Sequence, residues 1–205
     1  MTKTIDYYSF ALSPFTLFGH DALKAVADKH GCTINYKPMR LFDLWGVSGA
    51  VPPKDRPPMR QRYRLTEISR IAISRGIEVN LKPAHWPTDP NLADNCACAI
   101  QAMGDNPHGY MRRIGAAVWC EDKNIADEAV VRDALEAEGL DVDAVIAKAP
   151  HMGAVRDQNT QDAIEADAVG APAYVYRGEV FWGQDRVEML GEMIASGREP
   201  FIFKS

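Results

Sequence analysis

More than 90 consecutive residues in the middle of this chain carry almost no strand signal, yet strand-like segments stand on both sides of them. A sheet can form only if the two ends of the chain meet, with the middle folding as a helical block. Within the block, "MRQRYRLTEISRIAISRG" puts Met59, Leu65, Ile68, Ile71 and Ala72 on one helical face and is stopped by Gly76. "NLADNCACAIQAMG", "GYMRRIGAAVWCED" and "ADEAVVRDALEAEG" predict three more helices, and "DVDAVIAKA", capped by Asp141, a short fifth. Ahead of them "VSGAVPPKDRPP", with its clustered prolines, reads as a loop.

The flanks read differently. "TIDYYSF", Thr4 to Phe10, is β-branched and aromatic and predicts a strand. Ser13 then offers an N-cap and Pro14 a first helical residue, with Leu17, Phe18, Leu23, Val26 and Ala27 near helical spacing and a stop at Gly31. "TINYKPM" follows as a second strand, so the opening is β-α-β, usually parallel with a right-handed crossover. At the other end "MGAVRDQNTQDAIEADAVG" predicts a helix ending at Gly170, and "AYVYRGEVFW" a hairpin turning at Arg177-Gly178. "DRVEMLGEMIASG" predicts a last helix, with Asp185 and Glu188 spaced as a capping box and Val187, Leu190, Met193 and Ile194 on its apolar side. With the block removed, the order is β-α-β-α-β-β-α, that of an α/β thioredoxin-like fold. The expected organisation is a discontinuous thioredoxin-like domain of residues 1–41 plus 152–205, with an all-helical insertion at 42–151.

Apolar residues make up 46% of the 205, enough for a sizeable core, and the formal net charge is −5. No basic block or aromatic-basic stripe is present, which argues against nucleic acid as a partner. No apolar run approaches the roughly 20 residues that cross a bilayer, and "MTKTIDYYSFALSPF" lacks a signal-peptide pattern, so a soluble cytoplasmic protein is expected. Cys96 and Cys98 are spaced C-x-C on a helix, poor geometry for a shared metal or a disulfide; all four cysteines are expected to be buried and reduced, and no metal site is expected. The five histidines read as structural or surface residues.

"FALSPFT" joins the first strand to the first helix, a place where a Cys-x-x-Cys pair can sit. Here Ser13 and Thr16 hold the two positions, which removes dithiol chemistry. A helix start can still stabilise a thiolate, and a serine hydroxyl can donate to a thiolate brought by a ligand; otherwise Ser13 is only a cap. Pro172, in "VGAPAYV", reads either as a cis-proline after Ala171 or as a turn proline opening an edge strand.

"YYSFALSPFTLFG", the spacing to "GAPAYVYRGEVFWGQDRVEML" and the inserted helices together resemble the 2-hydroxychromene-2-carboxylate isomerases and kappa-class glutathione transferases, over nearly the whole chain. These share a thioredoxin-like fold with disulfide oxidoreductases of the DsbA type. The resemblance implies glutathione as cofactor, a small aromatic substrate and a homodimer. It implies that Ser13 contacts the glutathione sulfur, that Ala171, just before Pro172, pairs through its backbone with the cysteinyl part, and that Gln184 and Asp185 hold the γ-glutamyl end. Arg60, in "RQRY", with Lys54, Arg62 and Arg64 nearby, would meet the glycyl carboxylate, or else forms a solvated basic face. Ala50 stands where the family often has asparagine, and Trp45, placed in the same loop, is a candidate cover for the ligand. The expected activity is a glutathione-dependent isomerisation of a conjugated aromatic keto-acid by reversible thiolate addition. The alternatives are a transferase or peroxidase using the same site, and a peptide-binding module with no cofactor.

Overall fold

The computed structural model describes residues 3–203. Strand β1 (Lys3–Ser9), helix α1 (Pro14–His30) and strand β2 (Cys32–Pro38) form the opening unit. Seven helices follow: α2 (Leu41–Ser48), α3 (Pro58–Arg75), α4 (Asn91–Ala102), α5 (His108–Trp119), α6 (Glu128–Glu136), α7 (Val142–Lys148) and α8 (Gly153–Glu165). Strands β3 (Ala173–Tyr176) and β4 (Glu179–Trp182) and helix α9 (Val187–Ser196) close the chain. The sheet order is β2-β1-β3-β4, with β1 and β2 parallel and the β3-β4 hairpin antiparallel to them. This is the thioredoxin-like α/β arrangement with a helical insertion that the element order predicts. Among the described residues, no helix is long and apolar enough to cross a membrane.

Period-two alternation sends successive strand residues to two cores. Ile5, Tyr7, Tyr174, Tyr176 and Phe181 face one layer, closed by Leu23 and Ala27 of α1 and Val187, Leu190, Met193 and Ile194 of α9. Tyr8, Phe10, Ala173 and Val175 face the other, which runs without a break into the insertion through Ile68, Ile100, Ile114 and Trp119. Helix α1 contributes to both, because Leu17 and Phe18 turn towards the insertion.

Several local expectations are corrected. Leu41–Ser48 forms α2, so Trp45 belongs to a helix and only the segment after Gly49, Ala50 included, is loop. Helix α8 ends at Glu165, five residues before Gly170, and Asp167 then takes a left-handed conformation (φ 61°). Asp185 is not an N-cap: Gly183 turns the chain at φ 105°, Gln184–Arg186 forms a 3-10 turn, and α9 begins at Val187 without a side-chain cap. Pro172 opens β3, which lies between β1 and β4, so the edge-strand alternative is excluded and the Ala171-Pro172 bond is cis. Cys96 and Cys98 are buried because α4 is packed on almost every side, but Cys32 is only half-buried and Cys120 is exposed.

His20 is the least expected core residue. Its ring stacks on that of His108, centroids 4.0 Å apart and 8° from parallel. Nε2 lies 2.9 Å from the His108 carbonyl, which can only accept, so Nε2 carries the proton and Nδ1 accepts from the Tyr7 hydroxyl at 3.2 Å. Burial, reinforced by His108, holds the His20 pKa down at about 3 against 6.5 for an ordinary histidine. Below pH 6.5 the unfolded chain therefore takes up a proton that the folded one refuses. Stability is full above that pH and falls towards pH 3 by about 1.4 kcal/mol per pH unit. Urea unfolding at pH 7.5 and 5.0 checks this. His20→Asn should be less stable at pH 7.5 but lose about 2 kcal/mol less on acidification than the wild type; an equal acid loss in both proteins would refute the assignment.

Candidate active site

The site is built where α1 starts opposite the β3 entry. Ser13 caps α1 in extended conformation, its Oγ accepting the Thr16 N–H at 3.2 Å. Pro14 has no N–H, and Phe15 N–H makes no hydrogen bond among the described residues, so the first turn keeps one free backbone donor beside the Ser13 hydroxyl. That hydroxyl faces the Ala171 carbonyl at a long 3.5 Å. Ala171 N–H also lacks a partner among the described residues. Two backbone amides, of Phe15 and Ala171, are thus without partners among the described residues at a helix start where the Ser13 hydroxyl is held only by a long contact, a setting that can stabilise a thiolate or carboxylate.

The insertion holds the turn in place. Asp94 of α4 accepts the Ala11 N–H at 3.2 Å and is bound by Arg156 at 3.1 Å. Both side chains are almost fully buried. Removing one partner of such a pair costs about 3–5 kcal/mol. One residue on, Trp86 donates its indole N–H to the Leu12 carbonyl at 3.2 Å. Beneath the turn is a cavity of about 20 Å³ lined by Ala11, Thr16, His20 and Asp94, too small for an organic substrate.

The remaining predicted residues divide. Gly183 N–H donates to the Pro172 carbonyl at 2.9 Å, which ties the 3-10 turn of Gln184 and Asp185 to the β3 entry. Gln184 packs on Gly19 of α1 and is buried. Its amide oxygen accepts from Arg75 at 3.1 Å, so its NH2 group is left as a donor without a partner among the described residues. Asp185 is exposed, bonded to Arg186 at 2.6 Å. Arg60 is not brought to this cluster: it is exposed and touches none of the others. Arg75, at the far end of the same helix, is the residue that meets Gln184, and fifteen residues separate the two by about 22 Å of helix axis. Arg75 was missed because a basic residue in a last helical turn reads as a complement to the helix dipole.

No sulfur of the chain serves this site. Burial pushes the Cys96 and Cys98 thiols up to about 12 and also raises Cys32 and Cys120. None has the depressed pKa of a reactive thiol.

Comparison with known proteins agrees with the fold. The family model for the DSBA-like thioredoxin domain matches residues 4–195. The chain belongs to the DSBA-like thioredoxin-domain family. Within reach of this DSBA-like protein are two relatives named 2-hydroxychromene-2-carboxylate isomerase. One, from Sphingobium xenophagum, is 27% identical over 93% of this chain and 97% of its own length. The other, from Pseudomonas putida, is 28% identical over 91% of each. A solved 2-hydroxychromene-2-carboxylate isomerase superposes with a TM-score of 0.80 at 24% identity, covering 94% of this chain and 95% of its own.

Proposed function

We propose that this DSBA-like protein is a glutathione-dependent isomerase acting on a conjugated aromatic acid. The observation that carries the reading is the Ser13 turn, where the Phe15 and Ala171 amides lack partners among the described residues, the Ser13 hydroxyl makes only a long contact and a serine stands in place of a chain sulfur. The similarity to isomerase-named relatives over more than nine-tenths of the chain supports the reaction class.

The residues fit glutathione. Ser13 Oγ–H and Phe15 N–H would donate to its sulfur and favour the thiolate. The free Ala171 N–H would pair with the cysteinyl carbonyl. The Gln184 NH2 group, fixed by Arg75 on the oxygen side, would donate to the α-carboxylate, and Asp185 would exchange part of its exposed pairing with Arg186 for the α-ammonium. When bound, glutathione supplies a thiolate that adds reversibly to a conjugated carbon, so that a double bond becomes single and can rotate. Asp94 and Trp86 keep the turn rigid, so its donors need little reorganisation.

Calorimetric titration with reduced glutathione tests the reading. The wild type should bind, and Asp185→Ala should bind about tenfold more weakly, the worth of one charge-assisted hydrogen bond. No binding to the wild type would remove the mechanism. Loss of free thiol during turnover would replace isomerisation by conjugation or peroxide reduction.

A further inference from the structure

Arg64 is a half-buried cation that no carboxylate neutralises among the described residues. Its guanidinium lies over the Trp86 ring at 5.2 Å and the Trp119 ring at 5.7 Å, and it has no hydrogen-bond or ion-pair partner among the described residues. Beside it the Trp119 indole N–H is buried without an acceptor. Burial and the charge of Arg56 pull the Arg64 pKa down to about 10. Positive charge accumulates rather than disperses here. Arg56, Arg60 and Arg64 recur every fourth residue, running into and along the first turns of α3, whose N-terminal turn has no acidic residue. Arg56 donates to the Val51 carbonyl at 2.7 Å, and Arg60 has no partner among the described residues. The neighbouring carboxylates do not answer them: Glu67 is bound by Arg70, and Asp55 forms no ion pair among the described residues.

Arg56 and Arg60 stand at the positive end of α3, where cations oppose the dipole, and Arg60 and Arg64 form a like-charge pair one turn apart. Attraction to an indole face recovers only about 0.5–2 kcal/mol for such a cation. An anion would give the guanidinium the hydrogen-bonding partner that the indole faces cannot. The position also matters. Trp86, on which Arg64 rests, is the residue that donates to the Leu12 carbonyl, so Arg64 stands one indole away from the Ser13 turn and on the insertion side of it. Gln184 and Asp185, the residues that fit the γ-glutamyl end, are reached through the opposite end of α3.

We propose that Arg64, backed by Trp86 and Trp119, forms a carboxylate subsite for the aromatic acid substrate, separate from the residues that would hold glutathione. A planar carboxylate takes the guanidinium fork in a two-point contact, while the partly exposed Trp86 offers a ring face to the aromatic body. Arg64 would thus set acid over neutral substrates. The substrate assignment rests on the isomerase reading; the subsite itself does not require it.

The test uses trans-cinnamate and its neutral isostere cinnamamide as calorimetric probes, at low salt and without glutathione. The wild type should bind cinnamate at least about tenfold more tightly than cinnamamide, with the preference shrinking as salt rises. Arg64→Gln should abolish the preference by weakening cinnamate alone, while glutathione binds as before. Arg64→Lys should recover part of it, since the charge returns without the planar fork. Equal affinity of the wild type for both probes, or equal loss of cinnamate and cinnamamide in Arg64→Gln, would overturn the subsite. If glutathione fails to bind but the Arg64-dependent preference for cinnamate remains, the subsite stands and the isomerase reading falls.

Discussion

Ser13→Ala should cut glutathione-dependent turnover about 15-fold at pH 7 and scarcely at all at pH 9.5. A thiol of pKa near 8.5 is about 3% ionised at pH 7, and one lowered to about 7 is half ionised, which fixes the size of the defect. Above pH 9 both are thiolates and the advantage disappears. The absorbance of bound thiolate near 240 nm should titrate with the same displaced midpoint. The variant also loses the cap on Thr16 N–H, worth about 1 kcal/mol, so a fall of a few degrees in Tm accompanies the change without explaining its pH dependence. A defect of constant size from pH 7 to 9.5 would mean that Ser13 serves the fold and not the sulfur.

Gly19→Ala is expected to damage stability and the proposed glutathione site together. A β-carbon there would lie 2.3 Å from the Tyr174 hydroxyl and 3.1–3.2 Å from Gln184 Cβ and Cα. Overpacking of this kind costs about 2–3 kcal/mol, or roughly 5–10 °C in Tm for a chain of this length. Because Gln184 backbone must move, glutathione affinity should fall with stability. The Tyr174 hydroxyl is buried without a partner, so Tyr174→Phe alone should be neutral or slightly stabilising. Combined with Gly19→Ala it should recover more than half of the lost stability while leaving the pressure on Gln184, and hence the binding defect, in place. Urea melts and glutathione titrations on the three variants read both effects. Failure of Tyr174→Phe to restore stability would show that the hydroxyl is not the obstacle.

Much of the fold was legible because its signals are local. Ser13-Pro14 and Gly31 bracket α1, Asp141 caps α7, and alternation in "AYVY" marks a strand. Helix α2 escaped notice because Arg40 gives it no side-chain cap and Gly46 lies inside it. Asp185 and Glu188 have the spacing of a capping box, but Gly183 and the 3-10 turn place both outside that role, and Glu188 bonds to Arg75 instead. At the site, the Ser13 hydroxyl faces the Ala171 carbonyl and the Gly183 N–H ties the turn of Gln184 to the Pro172 carbonyl. Arg60 does not join them, since a helix spaces its residues by rise and not by motif. The partners of His20, Asp94 and Arg64 were not legible for a common reason. Each owes its character to a partner 62 or more positions away (Arg156 for Asp94, His108 for His20) or, for Arg64, to two indoles from separate segments.

The pairing of Tyr7 with Tyr174 sets the order in which this protein can be made. Translation at about 5–20 residues per second delivers β1 roughly 8–30 s before the strand that must lie against it. Until then β1 has only β2 as a strand partner, its other edge is unpaired, and of the layer that β1 shares with α1 and α9 only the α1 part has been made. The sheet is completed only once Ala173–Trp182 has left the ribosome. Truncation from the C-terminus removes β3, β4 and α9 together, and with them the backbone that faces Ser13. Quality control of a nascent or shortened chain and assembly of the active turn therefore hinge on the same late event.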